Sequence, residues 1–440
     1  MEQHVASIEE VCVNASKEFS LERALDRMET EWQPVVLDLK PYSTSGTHIL
    51  AGASSEEVQA LLDDHIVKSS TMAASRYAKA LESRIKTWMS NLTEIQSVLD
   101  MWLKVQSTWL YLSPIFSSDD IMHQMPVEGT RFQQVDSTWR ALMRGAVADA
   151  RALHALRQPS MLDLLTESHE LLEKILKGLN DYLEAKRLIF PRFFFLSNDE
   201  LLEILAETKD PQRVQPHLRK CFEGIASLQF DPNNFIEAMI SAEGERVKFA
   251  PAPEAGGRLI NPADARGNVE LWLLQVESAM KRACARVIDE GMRSYVVAPS
   301  RSAWTLDWPA QAVLAVTQIN WTLGVEKALY EGKRHALQEF AHVCTQQIND
   351  IILLVRGKLP SLARKTLGAL VVLDVHARDV TQAMADAGTC SPQDFAWNSQ
   401  LRYTWRDDNE SASTGKPGTI VMKMINASLK YGYEYLGNTT

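Results

Sequence analysis

The strongest constraint on this chain is an uninterrupted stripe of large side chains within its first quarter. Its members alternate steps of three and four residues, and Gln106 is the single polar one: Ile85, Trp88, Leu92, Ile95, Leu99, Trp102, Gln106 and Trp109. That spacing places side chains on one face of an α-helix. The stripe predicts one long buried helix over about residues 76–112, ended by Pro114.

The polar and aromatic members of this stripe leave two alternatives open. Gln106 either sets the register of the helix or hydrogen-bonds a neighbouring helix. The tryptophans are interpreted as core anchors, with a partner-binding groove as the alternative.

Similar periodicity predicts helices along most of the chain. A second stripe, ended near Pro191, consists of Leu162, Leu165, His169, Leu172, Leu176, Leu179 and Leu183. We interpret His169 as a core histidine bonded to a neighbouring helix. Further helical stretches fit residues 56–68, 130–156, 269–295, 310–332, 334–358 and 362–387. Helices of this length, packed in series, favour an elongated rod over a globule.

The middle of the chain and its C-terminal part interrupt the helical pattern. Residues 235–241 and 246–250 flank a glycine-containing turn and predict a β-hairpin. With the apolar run Arg192–Leu196 they are expected to form a small β insertion. Residues 397–405 and 419–425 are strand-like again. We therefore divide the chain into residues 1–190, helical; 191–268, mixed; 269–390, helical; and 391–440, a strand-like joint.

Composition excludes several classes of protein. The net charge of −10 and the pI of about 5.6 argue against nucleic acid as a partner, because phosphate binding requires a basic face. No apolar run approaches the roughly 20 residues that a membrane span needs. The five cysteines lie far apart, so neither a disulfide framework nor a zinc site is predicted.

The sequence contains no convincing nucleotide-binding motif. The nearest match to a phosphate-binding loop is Gly415-Lys416, but Glu410 stands where the loop needs glycine and Pro417 where it needs a hydroxyl residue. In a true loop, backbone amides wrap the phosphates and the hydroxyl binds magnesium. We predict no cofactor site in this chain.

The titratable residues form no catalytic or metal-binding pattern either. His335 and His342 share a helix face but lie two turns apart, beyond the spacing of a helical metal pair. Asp374, His376 and Asp379 resemble an acid–histidine–acid cluster, yet the first two cannot face each other on a helix. We therefore predict no catalytic residue and no metal ligand. The chain is expected not to be an enzyme by itself.

Several blocks, in one order along the chain, resemble the linker region of dynein heavy chains. They are Trp102–Phe116, Met125-Pro126, Phe132–Trp139, Phe190–Leu202, His217–Ile225, Met239–Val247, Val269–Leu273, Gln400–Tyr403 and Ile425–Asn438. The block Ser45–Leu50 and the first block resemble axonemal more than cytoplasmic dyneins. The resemblance covers nearly the whole chain, which makes it more specific than any single motif.

This resemblance implies a mainly α fold: an arched, elongated rod of packed helices with a small β insertion and a C-terminal strand-like joint. In dynein heavy chains the linker lies across a ring of AAA+ modules, and it bends and straightens to produce the power stroke. ATP and magnesium would then bind the adjoining AAA+ modules. The location implied is cytoskeletal, in the axoneme of a cilium or flagellum.

The same resemblance implies the partners. They are the AAA+ ring of the same heavy chain, other dynein subunits through the tail, and the microtubule only through the stalk; no nucleic acid or membrane is expected. The alternative is a non-motor helical adaptor or scaffold protein, which would have the same composition.

Two groups of residues are predicted to contact the ring. The proposed ring-coupling joint comprises Tyr431, Tyr433, Tyr435, Gly437 and Asn438, because its three tyrosines need a partner surface. Completion of a local sheet is the alternative. The proposed ring-facing insertion comprises Phe193, Phe194, Phe195 and the 235–250 hairpin, with ordinary core aromatics as the alternative.

Overall fold

The fold is mainly α-helical, as the sequence predicts. The computed structural model describes residues 2–42, 46–206, 210–251, 258–331, 335–406 and 418–438. Two compact units are present, Met1–Tyr182 and Leu183–Thr440, here called unit 1 and unit 2. The elongated rod and the four-part division of the chain stay predictions.

Unit 1 consists of helices and one short β-hairpin. Its elements are α1 (Glu2–Glu31), β1 (Leu39–Tyr42), β2 (Thr47–Leu50), α2 (Gly52–Ala73), α3 (Glu82–Ile115), α4 (Asp119–Gln124), α5 (Pro126–Ala148), α6 (Ala152–Ala155) and most of α7 (Met161–Ile189). Strands β1 and β2 pair antiparallel, with Leu39 opposite Leu50. The sequence analysis missed α1 and this hairpin.

The long stripe is the face by which α3 joins the core of unit 1. All eight of its members are buried, which confirms the prediction, although the helix begins at Glu82 and continues one residue past Pro114. The tryptophans are core anchors: Trp109 stacks on Trp139 with 5.6 Å between ring centroids, and Trp102 meets Trp139 edge-on at 6.3 Å. Such aromatic pairs add stability beyond the area they bury.

Gln106 has a partner that neither alternative had foreseen. Its Oε1 accepts a hydrogen bond from the backbone N–H of Leu50 at 2.8 Å, and its Nε2 donates to the carbonyl of the same residue at 3.0 Å. Trp102 Nε1 donates to the same Oε1 at 3.3 Å. The side chain therefore joins α3 to the end of strand β2, and no neighbouring helix is involved.

The second stripe is only partly right. Leu165, Leu172, Leu179 and Leu183 are buried, whereas Leu162, His169 and Leu176 lie at intermediate exposure. Met161, Ser168 and Ile175 occupy the buried line instead, because successive helical residues differ by about 100° in direction. Within the described residues the buried Nδ1 of His169 has no hydrogen-bond partner, so the predicted bond through that nitrogen is not found.

Unit 2 combines long helices with two small antiparallel sheets. Its elements after α7 are α8 (Asn198–Ala206), α9 (Leu218–Cys221), β3 (Ser227–Phe230), β4 (Ile236–Ile240), β5 (Arg246–Lys248), α10 (Val269–Val297), α11 (Arg301–Asp307), α12 (Ala310–Glu331), α13 (Ala336–Arg356), α14 (Ser361–Asp386), α15 (Phe395–Asn398), β6 (Arg402–Arg406), β7 (Thr419–Met424) and β8 (Ala427–Lys430). The sheets have the strand orders β3-β4-β5 and β6-β7-β8. The predicted hairpin is confirmed as β4–β5, with Gly244 at φ 91° in its turn.

Two local predictions in unit 2 were wrong. Pro191–Phe195 is a turn of 3₁₀ helix rather than part of the β insertion, because proline favours the first position of a helical turn and Phe193 N bonds Phe190 O at 3.0 Å. Trp397 lies in the short helix α15, and the strand after it begins only at Arg402.

The core of unit 2 lies between α10, α12, α13 and α14. Trp304, Ile319 and Leu367 belong to one buried cluster, and Trp321 and Trp397 belong to a second. All five cysteines are free thiols, three of them buried. Among the described residues, no helix has both the length and the apolar character to cross a bilayer.

We expect Gln106→Leu to lower the free energy of unfolding by about 2–3 kcal/mol. The substitution leaves the N–H and carbonyl of Leu50 and the Trp102 indole buried without their partner, and such unpaired groups are costly. Urea unfolding followed by tryptophan fluorescence measures the change. Gln133→Leu, on the exposed face of α5, is the matched control; equal losses for both variants would contradict the role of Gln106.

Candidate functional site

The C-terminal joint, Tyr431–Asn438, leaves the second sheet of unit 2 directly after β8. None of its eight residues belongs to a strand. Tyr431 N still bonds the carbonyl of Ile420 on β7 at 3.0 Å, so the alternative, completion of a local sheet, holds only at the first residue of the joint. Tyr435, Gly437 and Asn438 are buried. The joint lies against the β4–β5 hairpin, α12 and α14, and side chains from all three bind it.

The hairpin turn presents Ser241 and Glu245 to the joint. Ser241 N bonds the carbonyl of Glu245 at 2.9 Å, and Ser241 Oγ accepts hydrogen bonds from the N–H groups of Glu243 and Glu245. The hydroxyl of Ser241 in turn donates to Asn438 Oδ1 at 3.1 Å. These bonds fix the direction of the Glu245 side chain.

Glu245 binds the joint and a helix terminus with one carboxylate. The residue is 5% exposed, and its Oε2 accepts the hydroxyl of Tyr435 at 2.6 Å. Its Oε1 accepts the backbone N–H of Ala310 at 2.8 Å and Asn438 Nδ2 at 3.1 Å. Ala310 is the first residue of α12, where free N–H groups and the helix dipole favour an anion.

Asn438 extends this network to a third element. Its Nδ2 also donates to Thr366 Oγ1 on α14 at 3.2 Å. The amide therefore contacts the hairpin turn and α14 together, and both of its polar atoms have partners.

The side-chain amide of Gln311 on α12 forms hydrogen bonds with the joint, two of them with its backbone. Its Nε2 donates to the carbonyl of Glu434 at 2.7 Å and to the hydroxyl of Tyr431 at 2.8 Å. Its Oε1 accepts the N–H of Leu436 at 3.1 Å. This buried amide thus pairs with the carbonyl of Glu434 and the N–H of Leu436, which a neighbouring strand would otherwise do.

Arg192 holds the joint from the 3₁₀ turn. Its guanidinium makes two bonds to the carboxylate of Glu434, at 2.8 and 2.6 Å, and stacks over Phe222 at 4.8 Å. Glu277 lies 3.4 Å away. Paired charge-assisted bonds of this kind fix geometry as well as supplying energy.

A glycine permits the close approach of the joint to the chain before β3. A Cβ atom on Gly224 would lie 2.4 Å from the carbonyl oxygen of Tyr435 and 2.7 Å from Gly437 N. Since both contacts are with backbone, no side-chain rotation would relieve them. Gly437 itself has φ 66°, a conformation that glycine adopts readily.

The three tyrosines pack against other parts of this chain, whereas the surface expected for them from the sequence was that of the ring. Tyr433 donates to the carbonyl of Gly418 at 3.3 Å and accepts the N–H of Ile420 at 3.1 Å. Burial raises the pKa of Tyr431 to about 12. Burial and the Glu245 carboxylate raise the pKa of Tyr435 above its ordinary range. Both hydroxyls therefore stay protonated, that of Tyr435 as the donor to Glu245 and that of Tyr431 as the acceptor from Gln311. Ring coupling by these residues stays a prediction.

The three phenylalanines of the predicted ring-facing insertion do not share one environment. Phe193 is fully buried against Phe190, with 4.9 Å between ring centroids. Phe194 and Phe195 are 54% and 74% exposed. Phe193 is therefore a core aromatic. Of the three phenylalanines, only Phe194 and Phe195 are exposed for a contact outside this turn.

The acid–histidine–acid pattern of α14 does not form a catalytic cluster in the structure. Asp374 is buried and makes two bonds with Arg301, at 2.9 and 2.7 Å, while His376 is exposed and meets the ring of Trp321 edge-on. Among the described residues no group of three His, Cys, Asp or Glu is arranged to hold a metal ion. Gly415 and Lys416 lie outside the described residues.

Comparisons with known proteins identify relatives along the whole chain. The family described as dynein heavy chain, N-terminal region 2, matches residues 1–291. The chain is 48% identical over 435 residues to dynein axonemal heavy chain 3 of Mus musculus, covering 99% of this chain and 10% of the relative.

Two further relatives agree. Dynein axonemal heavy chain 12 of Homo sapiens is 47% identical over 436 residues, covering 99% of this chain and 13% of the relative. Dynein axonemal heavy chain 1 of Homo sapiens is 43% identical over 439 residues, covering 100% and 10%. The chain thus spans about a tenth of the length of the relatives it matches.

We expect Gly224→Ala to loosen the joint and to cost about 1–3 kcal/mol, because the added methyl group overlaps backbone. Hydrogen exchange of the amides in Tyr431–Asn438 should accelerate. Gly368→Ala is the matched control, since a Cβ there meets nothing within 4 Å and alanine is the better helix former. Unchanged exchange in Gly224→Ala would contradict the close packing.

The chain is expected to lose stability as the pH rises above about 10. The pKa values of Tyr431 and Tyr435 are raised from 10.0, so the native state keeps protons that the unfolded state releases, and the free energy of unfolding falls with pH.

Tyr435→Phe tests this origin. It should be about 1–3 kcal/mol less stable at pH 8, since Glu245 loses a donor, yet lose less on going to about pH 11. Urea unfolding at both pH values measures the difference, with Tyr330→Phe, at a 73% exposed residue, as control. An unchanged slope in Tyr435→Phe would assign the alkaline loss to other groups.

Proposed function

This chain belongs to the dynein heavy chain family, and from that premise we propose that it is the linker of an axonemal microtubule motor. In this role it bends and straightens across the AAA+ ring and turns ATP-driven changes in the ring into the power stroke. The names of its relatives support the axonemal motor and a location in the axoneme of cilia or flagella. ATP and magnesium would act in the AAA+ modules of the same heavy chain.

The observation that carries the proposal is the bonding of the joint to three separate elements. Glu245, Gln311 and Asn438 connect it to the hairpin, α12 and α14 through buried hydrogen bonds, and Arg192 adds a paired ionic contact. Buried, fully paired networks resist displacement, because breaking them leaves polar groups without partners. A displacement of the joint would therefore be passed to the helices of unit 2.

Within this role we assign ring coupling to the joint and a second ring contact to the exposed pair Phe194 and Phe195. Neighbouring exposed aromatics are common at protein interfaces. The other partners proposed are the remaining dynein subunits, reached through the tail, and the microtubule, reached through the stalk. A non-motor scaffold remains the alternative function.

The test uses the full heavy chain in microtubule gliding and ATPase assays. Glu434→Gln removes the charge that Arg192 binds. It should slow gliding more than it slows ATP turnover, because it weakens the contact that transmits force while the ATPase sites of the AAA+ modules are unchanged. Glu203→Gln, at a carboxylate 68% exposed, is the matched control and should change neither. A fluorophore pair on unit 2 and the ring should report smaller nucleotide-dependent changes in Glu434→Gln.

Three outcomes would count against the proposal. If Tyr431→Ala and Tyr435→Ala leave gliding and ATP turnover unchanged, the coupling role of the joint is wrong. Normal docking of the linker after Phe194→Ser with Phe195→Ser would remove the second contact. A full heavy chain that neither hydrolyses ATP nor moves microtubules would favour the scaffold.

A further inference from the structure

A cavity of about 400 Å³ lies in unit 2 between α12, α14, the start of β6 and the joint. Trp321, Tyr403 and Leu314 form part of its wall, and no lining residue is Asp, Glu, Lys or Arg. Its volume and apolar character are those of small-molecule sites. Apart from the exposed imidazole of His376, no side chain in the lining could neutralise a charge that has lost its water, so the lining favours an uncharged ligand.

Two glutamines on α12 contribute polar side chains to the wall of the cavity. Gln311 and Gln318 are seven residues apart, and both line the cavity. The amide of Gln311 is saturated by Tyr431, Glu434 and Leu436. Gln318 is 8% exposed, and no hydrogen bond joins its amide to any residue that the structure describes.

Because Gln318 lines the open cavity, its amide is reached by solvent and is available to a ligand. The hydroxyl of Tyr403, on the same wall, likewise has no hydrogen bond to a described residue. Burial raises the pKa of Tyr403, so this hydroxyl remains a neutral donor. The cavity therefore presents an amide and a hydroxyl within an apolar lining.

The rim of the cavity is also apolar. Val372, Leu401 and Leu436 are 66%, 48% and 41% exposed, and each contributes to the lining. An apolar rim around a largely buried polar group is the arrangement expected of a site with an open entrance.

We propose that this cavity binds an uncharged, largely aromatic small molecule whose amide-like edge pairs with Gln318. Because Tyr431, Leu436 and Gly437 form one wall, the ligand contacts the joint and both helices together. Binding holds the joint in the position described here. The proposal does not depend on the proposed motor function, because its test measures binding directly.

The probe is 2-quinolone, a flat lactam that both donates and accepts a hydrogen bond, and calorimetric titration measures its binding. The matched probe, N-methyl-2-quinolone, lacks the donor and should bind about tenfold more weakly. Gln318→Leu should reduce the affinity for 2-quinolone to that of the methylated probe.

Val372→Trp provides a second variant that changes only the exposed rim. It should abolish binding of both probes by filling the entrance. With 2-quinolone bound to the parent chain, amide exchange of Tyr431–Asn438 should slow. Lack of saturable 2-quinolone binding by the parent chain at millimolar concentration would overturn the proposal, and so would equal affinities in the parent chain, Gln318→Leu and Val372→Trp.

Discussion

The buried carboxylate of Glu245 is the contact on which the arrangement of unit 2 depends. A carboxylate with 5% exposure is unfavourable unless hydrogen bonds replace the water it has lost. Its three donors come from α12 and the joint. The Glu245 carboxylate of the hairpin therefore determines where the joint lies, because it needs hydrogen-bond donors from the joint. The N-terminus of α12 must lie beside the same carboxylate. The Arg192–Glu434 pair differs in that it is only partly buried. It orients the joint more than it determines how deeply the joint is buried.

The sequence predicted well what depends on neighbours within one helix. The stripe on α3 was buried at every position, and α10, α12, α13 and α14 begin and end close to their predicted bounds. It failed where the partner lies far along the chain. Gln106 binds a strand 56 residues away, and nothing in its own helix indicates that strand. Three of the seven members of the α7 stripe were chosen one residue off the buried line, because residues on the flank of a narrow apolar face fit nearly the same spacing.

The candidate site shows the same limit. Its tyrosines were recognised from their number and from the resemblance of the block Ile425–Asn438 to dynein linkers. The residues that bind them, Glu245 and Gln311, resemble any other polar residue in the sequence. Phe193, Phe194 and Phe195 were grouped as one surface, although a 3₁₀ turn rotates successive side chains by about 120° and buries one of them. Gln318 could be recognised only once the cavity and the absence of a described partner were known. The order of the sequence blocks along the chain indicated the protein family, whereas the hydrogen bonds of the joint could be identified only in the structure.

The donors to Glu245 have a consequence for how unit 2 is made. They lie 65, 190 and 193 residues after the carboxylate they satisfy. Synthesis proceeds from the N-terminus, so the hairpin leaves the ribosome long before Tyr435 and Asn438. Until then the carboxylate keeps its water, and the surface that receives the joint stays unfinished. Long-range contacts also slow folding, because the intervening chain must be ordered first. Unit 2 therefore cannot close until the joint has been synthesised, and a chain that stops just short of Tyr435 leaves the Glu245 carboxylate with the N–H of Ala310 as its one remaining donor among the described residues.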